Sequence, residues 1–312
     1  MDRYAFILRR PLQLVPVLLG ISLITFILVQ LMPGDPVRIM LGPRASEEAI
    51  AAVRSHYGLD QPILVQYFYY LKNALRADFG LSLAFRASVL DVITARLLPT
   101  ICLIFYGLVL ALAITLFLAI AAARRPGEWI DQIVRLFCVA SLGLPSFWLG
   151  LMLIILFSLR LKLFPVSGFG SSPADVIWHL FLPALTIAIA VAPILTRNLR
   201  ATLIAQSSSD FVTAARSRGM SEDAIFFRHV FPNSLLPTVS LLGIVVSFLI
   251  GGTVVVETVF NVPGMGQLLV RAVLLRDYFI VQGLTLFFAA GVVLTSFIVD
   301  IVIVSLDPRV KL

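Results

Sequence analysis

Side chains able to do chemistry are few and far apart in this 312-residue chain. A nucleotide-hydrolysing loop of the GxxxxGK[ST] kind needs a lysine directly after glycine, where it reaches phosphates cradled by backbone N–H groups. The lysines are Lys72, Lys162 and Lys311, and none follows a glycine. Pro263-Gly264-Met265-Gly266 holds a single G-x-G and reads as a turn. His56, His179 and His229 are dispersed and support no metal site; His179, at the edge of an apolar run, reads as an interfacial anchor. Asp78-Phe79-Gly80 spells a kinase tripeptide without the lysine strand or catalytic loop that would give it a role. There is no GxSxG nucleophile elbow. Cys102 and Cys138 each lie inside an apolar run and read as packing residues rather than as a bridge. These residues predict no catalytic, metal or cofactor site on this chain.

Composition explains the scarcity. The chain is 60% hydrophobic and 13% charged, with mean hydropathy +1.01, where soluble domains run at roughly 45–50% and about 25%. Charge this sparse excludes a water-soluble enzyme, and two cysteines exclude a disulfide-built secreted fold. A bilayer core of about 30 Å takes roughly 20 apolar residues as helix. Six stretches qualify, near 11–32, 98–122, 133–158, 180–199, 235–257 and 279–305. Backbone groups cannot stay unpaired in lipid, so each is expected to be helical, and the alternating segments of a β-barrel are missing. The fold class expected is an all-α integral membrane protein of six transmembrane helices. The first run is longer than the roughly 7–15 residues of a signal h-region and reads as an uncleaved span.

Basic residues set the orientation. With the N-terminus inside, the inner side holds Arg3, Arg9, Arg10, Arg124, Arg125, Arg135, Arg197, Arg200, Arg216, Arg218, Arg228, Arg309 and Lys311. The short outer loops hold Arg160, Lys162, Arg271 and Arg276, and the other seven fall in one long outer segment. N-in, C-in is favoured, and topology rather than nucleic acid explains the net charge of +7.

The expected organisation is an N-terminus and first span over 1–32, a small helical periplasmic insertion over 33–97, a five-helix core over 98–305 and a cytoplasmic tail over 306–312. In the insertion, Ser46 with Glu47 and Glu48 starts a helix that Gly58 ends, and Pro62 opens a second. The aromatics of that second helix, Tyr67, Phe68 and Tyr70, either form an interfacial belt or pack the insertion's own core. Within the cytoplasmic segment 200–234, Asp210–Arg218 is helix-compatible, Gly219 suits a left-handed cap, and Ser221 with Glu222 and Asp223 starts another helix. Spans two, four (before Arg197) and five (before Glu257) carry no ionisable residue, which argues against an ion relay. Ser141, Gly143, Pro145, Ser146 and Gly150, Pro183 and Pro193, and Gly251-Gly252 read as sites of close helix packing, kinking or pore lining.

The cytoplasmic segment resembles the loop of bacterial ABC importer permeases, E-A-A-x3-G-x9-I-x-L-P. Ala214, Ala215, Gly219 and Pro232 match it; Thr213 stands in place of Glu, His229 of Ile and Phe231 of Leu. LMPGDP (31–36), YGLDQP (57–62), ADFGLS (77–82), LPSFWLG (144–150), FPVSG (164–168), VETVFNVPGMGQLLVRAV (256–273) and LDPRVKL (306–312) resemble the dipeptide/oligopeptide/nickel group along nearly the whole chain. The resemblance implies a bacterial inner-membrane permease working with a second homologous permease, two cytoplasmic ATPase subunits and an external binding protein. ATP and Mg would then sit on the ATPase partners, which explains the missing P-loop. It also implies that Asp210, Thr213, Ala214, Ala215, Arg218, Gly219, Ser221 and Glu222 form the ATPase-docking segment, with Asp210 as a substitute for the family's Glu. Peptides are the favoured cargo over glutathione or nickel complexes. The rival reading, a stand-alone secondary transporter or channel, predicts midplane charges or an internal repeat, and the sequence has neither.

Overall fold

The computed structural model describes residues 2–31, 36–41, 45–82 and 84–306. Most of the LMPGDP stretch, the tail beyond Leu306 and the side chains of Arg3, Arg9, Arg10 and His56 lie outside the described residues.

The chain is mostly helical, in the order α1 (Asp2–Gln30), α2 (Pro36–Leu41), α3 (Glu47–Tyr57), α4 (Ile63–Leu75), β1 (Leu81–Ser82), β2 (Ala87–Ser88), α5 (Val89–Arg124), α6 (Trp129–Leu142) and α7 (Ser146–Leu153). A π-helical turn, Ile154–Arg160, extends α7. Then come α8 (Pro173–Ser207), α9 (Asp210–Ser217), α10 (Glu222–Ile225), a second π-helical turn (Phe226–Val230), α11 (Phe231–Val259), α12 (Met265–Leu274) and α13 (Tyr278–Leu306). Among the described residues four helices are long and apolar enough to cross a membrane: α5, α8, α13 and the continuous run Glu222–Val259. A fifth span results if α6 and the helix Ser146–Arg160 count as one, although they meet at 106°. Pro145 has no N–H to continue the helix and disfavours helical geometry at Leu144, so the third expected stretch breaks at Gly143–Pro145. In α1 (Asp2–Gln30) the side chains are described without a break from Val15 to Leu28, and that segment is apolar.

The contacts divide the chain into two compact units. The first is Met1–Thr100 with Pro263–Val293. Ser46 caps α3 by accepting the Ala49 N–H, and Gly58 ends it at φ +65°. The aromatics of α4 divide their roles. Tyr67 bonds Ser22 Oγ at 2.9 Å and packs with Tyr70 against Phe26 of α1, whereas Phe68 and Leu64 remain about 70% exposed. The insertion is not wholly helical, since β1 and β2 pair antiparallel, Leu81 opposite Ser88 and Ser82 opposite Ala87. Helix α5 follows directly and begins nine residues before the expected span. Ser82 Oγ donates to Asp277 Oδ2, and Asp277 Oδ1 accepts the Ile280 N–H at the start of α13. The Gly264 turn leads into α12, whose Met265 N–H donates to Thr100 Oγ1 at 2.8 Å.

The second unit is Ile101–Val262 with Leu294–Leu312. Its core gathers Leu103, Leu182, Ile187, Leu195, Leu249 and Phe260. Between lipid-embedded helices the gain comes from close van der Waals contact, so small residues mark the crossings. A Cβ at Gly107 would lie 2.8 Å from Ile187 Cγ2, and one at Gly150 would lie 3.0 Å from Phe260. Gly251 and Gly252, expected among the packing residues, have nothing within 4 Å. Gly107→Ala is therefore expected to cost about 1–3 kcal/mol by overpacking, and Gly251→Ala to leave stability unchanged or slightly raised. Thermal unfolding in detergent checks both; equal melting temperatures would refute the assigned crossing. Both cysteines are free, Cys102 half-buried and Cys138 buried.

Candidate functional site

The segment after α8 builds a compact knuckle from local signals. Ser209 takes extended backbone and lets α9 start in a new direction. Helix α9 is amphipathic. Val212 and Ala215 are buried with Leu199, Leu203, Ala119, Ala123, Ile225 and Val230, while Phe211, Thr213, Ala214 and Ser217 are exposed.

The helix closes in a Schellman motif. The Gly219 N–H donates to the Arg216 carbonyl at 3.0 Å and the Met220 N–H to the Ala215 carbonyl at 3.3 Å. This geometry places Gly219 at φ +77°, the left-handed region where a Cβ is penalised, and nothing lies within 4 Å of where that Cβ would stand. Ser221 then caps α10 through the Ala224 N–H. Across the turn Arg216 grips Glu222 with two bonds, Nε to Oε1 at 2.6 Å and Nη2 to Oε2 at 3.0 Å.

The helix that Ser221 starts, α10, runs through the π-helical turn into α11. A proline inside an α-helix collides with the carbonyl four residues back. The wider turn before Pro232 relieves that collision and keeps the connection helical. The charged start of this run, Glu222 to His229, precedes its apolar stretch.

Of the eight predicted site residues, Asp210, Thr213, Ala214, Arg218, Gly219, Ser221 and Glu222 are exposed around one knuckle. Ala215 is buried and holds α9 to the core instead of facing outward. Asp210 lies one turn before Thr213, at the start of the same helix. Sequence reasoning missed Arg124, which bonds Asp223 and lies 5.1 and 5.2 Å from the ring centroids of Phe226 and Phe227. Arg124, Asp223 and Phe226 line, with Arg216 and Val212, a groove of about 430 Å³. No local signal joins Arg124 to Asp223, which is 99 residues away.

The Arg216 guanidinium holds the Glu222 carboxyl below its ordinary value of 4.5, and Glu222 in turn raises Arg216. The pair's contribution is present above the ordinary carboxylate pKa and is lost as pH falls through the lowered one. Both groups are exposed, so a small effect is expected: Arg216→Gln should return the Glu222 carboxyl to about its ordinary value in an NMR titration while leaving insertion intact. An unchanged titration would show that the pair is not formed.

Near the N-terminal end of α6 and facing the C-terminal part of α8, Asp131 is fully buried. It accepts Arg200 Nε at 2.5 Å and Nη2 at 2.7 Å, the Gly127 N–H at 2.9 Å, and stands 3.4 Å from Arg135.

Residues 115–312 match the family described as binding-protein-dependent transport system inner membrane component, and residues 3–104 match its N-terminal region. The chain is 37% identical over 306 residues to the glutathione transport system permease protein GsiC of Escherichia coli (strain K12), covering 98% of both chains. It has the same identity and coverage against GsiC of Salmonella typhi. Among solved structures, an inward-facing methionine ABC transporter, MetNI, superposes with TM-score 0.51 at 18% identity over 67% of this chain and 91% of that one. An amino acid ABC transporter crystallised with histidines gives TM-score 0.51 at 15% identity over 70% and 94%. At such identities these structures speak for the fold alone. Apolar helices and matches along nearly the whole length thus agree: the chain belongs to the binding-protein-dependent inner-membrane components, as a multi-pass permease subunit of an ABC importer rather than an enzyme.

Proposed function

We propose that this permease forms, with a second permease, the path by which di- or oligopeptides delivered by an external binding protein cross the membrane. Six spans with both termini inside complete the reading, on the distribution of basic residues and on α1 as the first span. Two cytoplasmic ATPase subunits carry ATP and Mg, and the knuckle around Gly219 docks on them.

The observation that carries this assignment is the exposed, small-residue face of Thr213, Ala214, Ser217 and Gly219 on a helix whose other face is locked into the core. A short helix held this way transmits displacement, because Ala215, Val212 and Ile225 tie it to α8 and to the continuous run into α11. ATP-driven closure of the ATPase pair would draw the two knuckles together and open the helices outward, and hydrolysis would reset them inward. Such a switch needs only a few kcal/mol of differential contact between two states. The glutathione-transporting relatives favour a small peptide as cargo.

Co-purification from membranes tests the assembly. The chain should bring down an ATPase and a second permease, and Ala214→Cys should cross-link to the ATPase. Purification as a lone chain active in uptake would instead favour a stand-alone transporter. Uptake competition among dipeptides, glutathione and nickel chelates then fixes the cargo.

A further inference from the structure

A second cavity, of about 690 Å³, lies between α6 and α8 and is bordered by Leu241 of α11. It is separate in residues from the knuckle. Arg135, Arg197, Asn198 and Arg200 line it, next to Val139 and Ile194, two apolar residues that are themselves exposed.

The donors on this wall outnumber their acceptors. Asp131 is committed to Arg200 through two bonds and to the Gly127 N–H, and Arg135 reaches the same carboxylate only at 3.4 Å with its side chain 54% exposed. Arg197 is exposed and has no carboxylate within 4 Å among the described residues. Asn198 uses Oδ1 to accept from Thr238 Oγ1 at 3.1 Å, which leaves its NH2 group to donate. Thr196, also on this wall, is fully buried, and its hydroxyl finds no partner among the described residues. The carbonyl one turn back that a helical threonine ordinarily uses, at Ala192, accepts from Thr115 at 3.4 Å.

Guanidinium groups in excess of carboxylates, with an amide and a hydroxyl beside them, match the geometry of a planar or tetrahedral oxyanion. We propose that this cavity is an oxyanion site in which Arg135 and Arg197 hold a carboxylate or phosphate over the Asp131–Arg200 pair. Two sources share that chemistry: the carboxylate of a solute passing through the permease, and the phosphate of a phospholipid headgroup at the inner leaflet. The inference does not depend on ATPase docking, so its failure would leave the importer assignment standing.

The test is thermal unfolding of the full-length chain in neutral detergent, titrated separately with glutathione, inorganic phosphate and phosphatidylglycerol. At least one should raise the melting temperature saturably. Arg197→Gln and Arg135→Gln should each weaken that response by about tenfold, the worth of one charged hydrogen bond. Arg197→Gln without ligand should melt within about 2 °C of the parent, because the guanidinium it removes has no ion partner among the described residues. A response to glutathione assigns the site to solute, one to phosphatidylglycerol alone assigns it to lipid, and one to phosphate alone assigns it to a free anion; all three support the proposal. No saturable response from any probe, or a response unchanged in both variants, overturns it.

Discussion

Gly219→Val is expected to insert in the membrane and assemble with its partners, yet to lose roughly tenfold or more of its ATP-driven uptake while ATP hydrolysis continues. The backbone at φ +77° costs a side-chain-bearing residue about 1–2 kcal/mol, and more for a β-branched one. That is enough to open the Schellman closure and displace the exposed turn from Arg218 to Ser221, while Val212 and Ala215 keep α9 on the core. A clash within the chain is not the cause, because nothing stands within 4 Å of the added Cβ. Gly219→Asn separates two causes, since asparagine visits the left-handed region readily. It should keep the turn, and if the open space is where the ATPase approaches, it should still lose uptake. Uptake and hydrolysis measured together in proteoliposomes decide the matter. Normal uptake by Gly219→Val would sink the assignment of this knuckle.

Asp131→Ala is expected to destabilise the chain by about 3–5 kcal/mol. Removing one partner of a buried pair leaves the other charge without compensation. The remaining Arg200 side chain is only 21% exposed, too little for water to replace both oxygens. Arg135, 54% exposed, can turn to solvent and adds little. The double variant Asp131→Leu with Arg200→Met should recover most of the loss, because apolar residues of similar size replace a buried pair without a stranded charge. Unfolding of the detergent-solubilised chain gives the comparison. A single variant within 1 kcal/mol of the parent would show that the carboxylate is not buried as described.

The knuckle itself was legible because its determinants are local. Gly219 ending one helix and Ser221 starting the next act through bonds no more than five residues long. The division of the adjacent Ala214 and Ala215 into outward and inward faces was not legible. Both are small and apolar, and only the position of Val212 against Leu199 and Leu203 sets the rotation of α9. The continuity of α10 into α11 was hidden by Pro232, which reads as a break unless a π-helical turn precedes it. Gly143 and Pro145 were visible as kink residues, but the 106° bend depends on how α6 and α7 each pack on α8. The hairpin at 81–88 went unseen because two-residue strands carry no periodicity.

By itself the sequence determined the solvent: apolar runs long enough for a bilayer, charges gathered mainly outside them, and no residues for nucleotide hydrolysis. These properties add up residue by residue, so composition and short spacing are enough to state them. Only the tertiary structure decided that Arg200 meets Asp131 across 69 residues and Arg124 meets Asp223 across 99. It likewise left Arg197 facing a cavity whose described lining residues include no carboxylate. A charge pair depends on where two backbones are held, and that position is fixed by the packing of helices such as α8 against α11 rather than by any spacing along the chain.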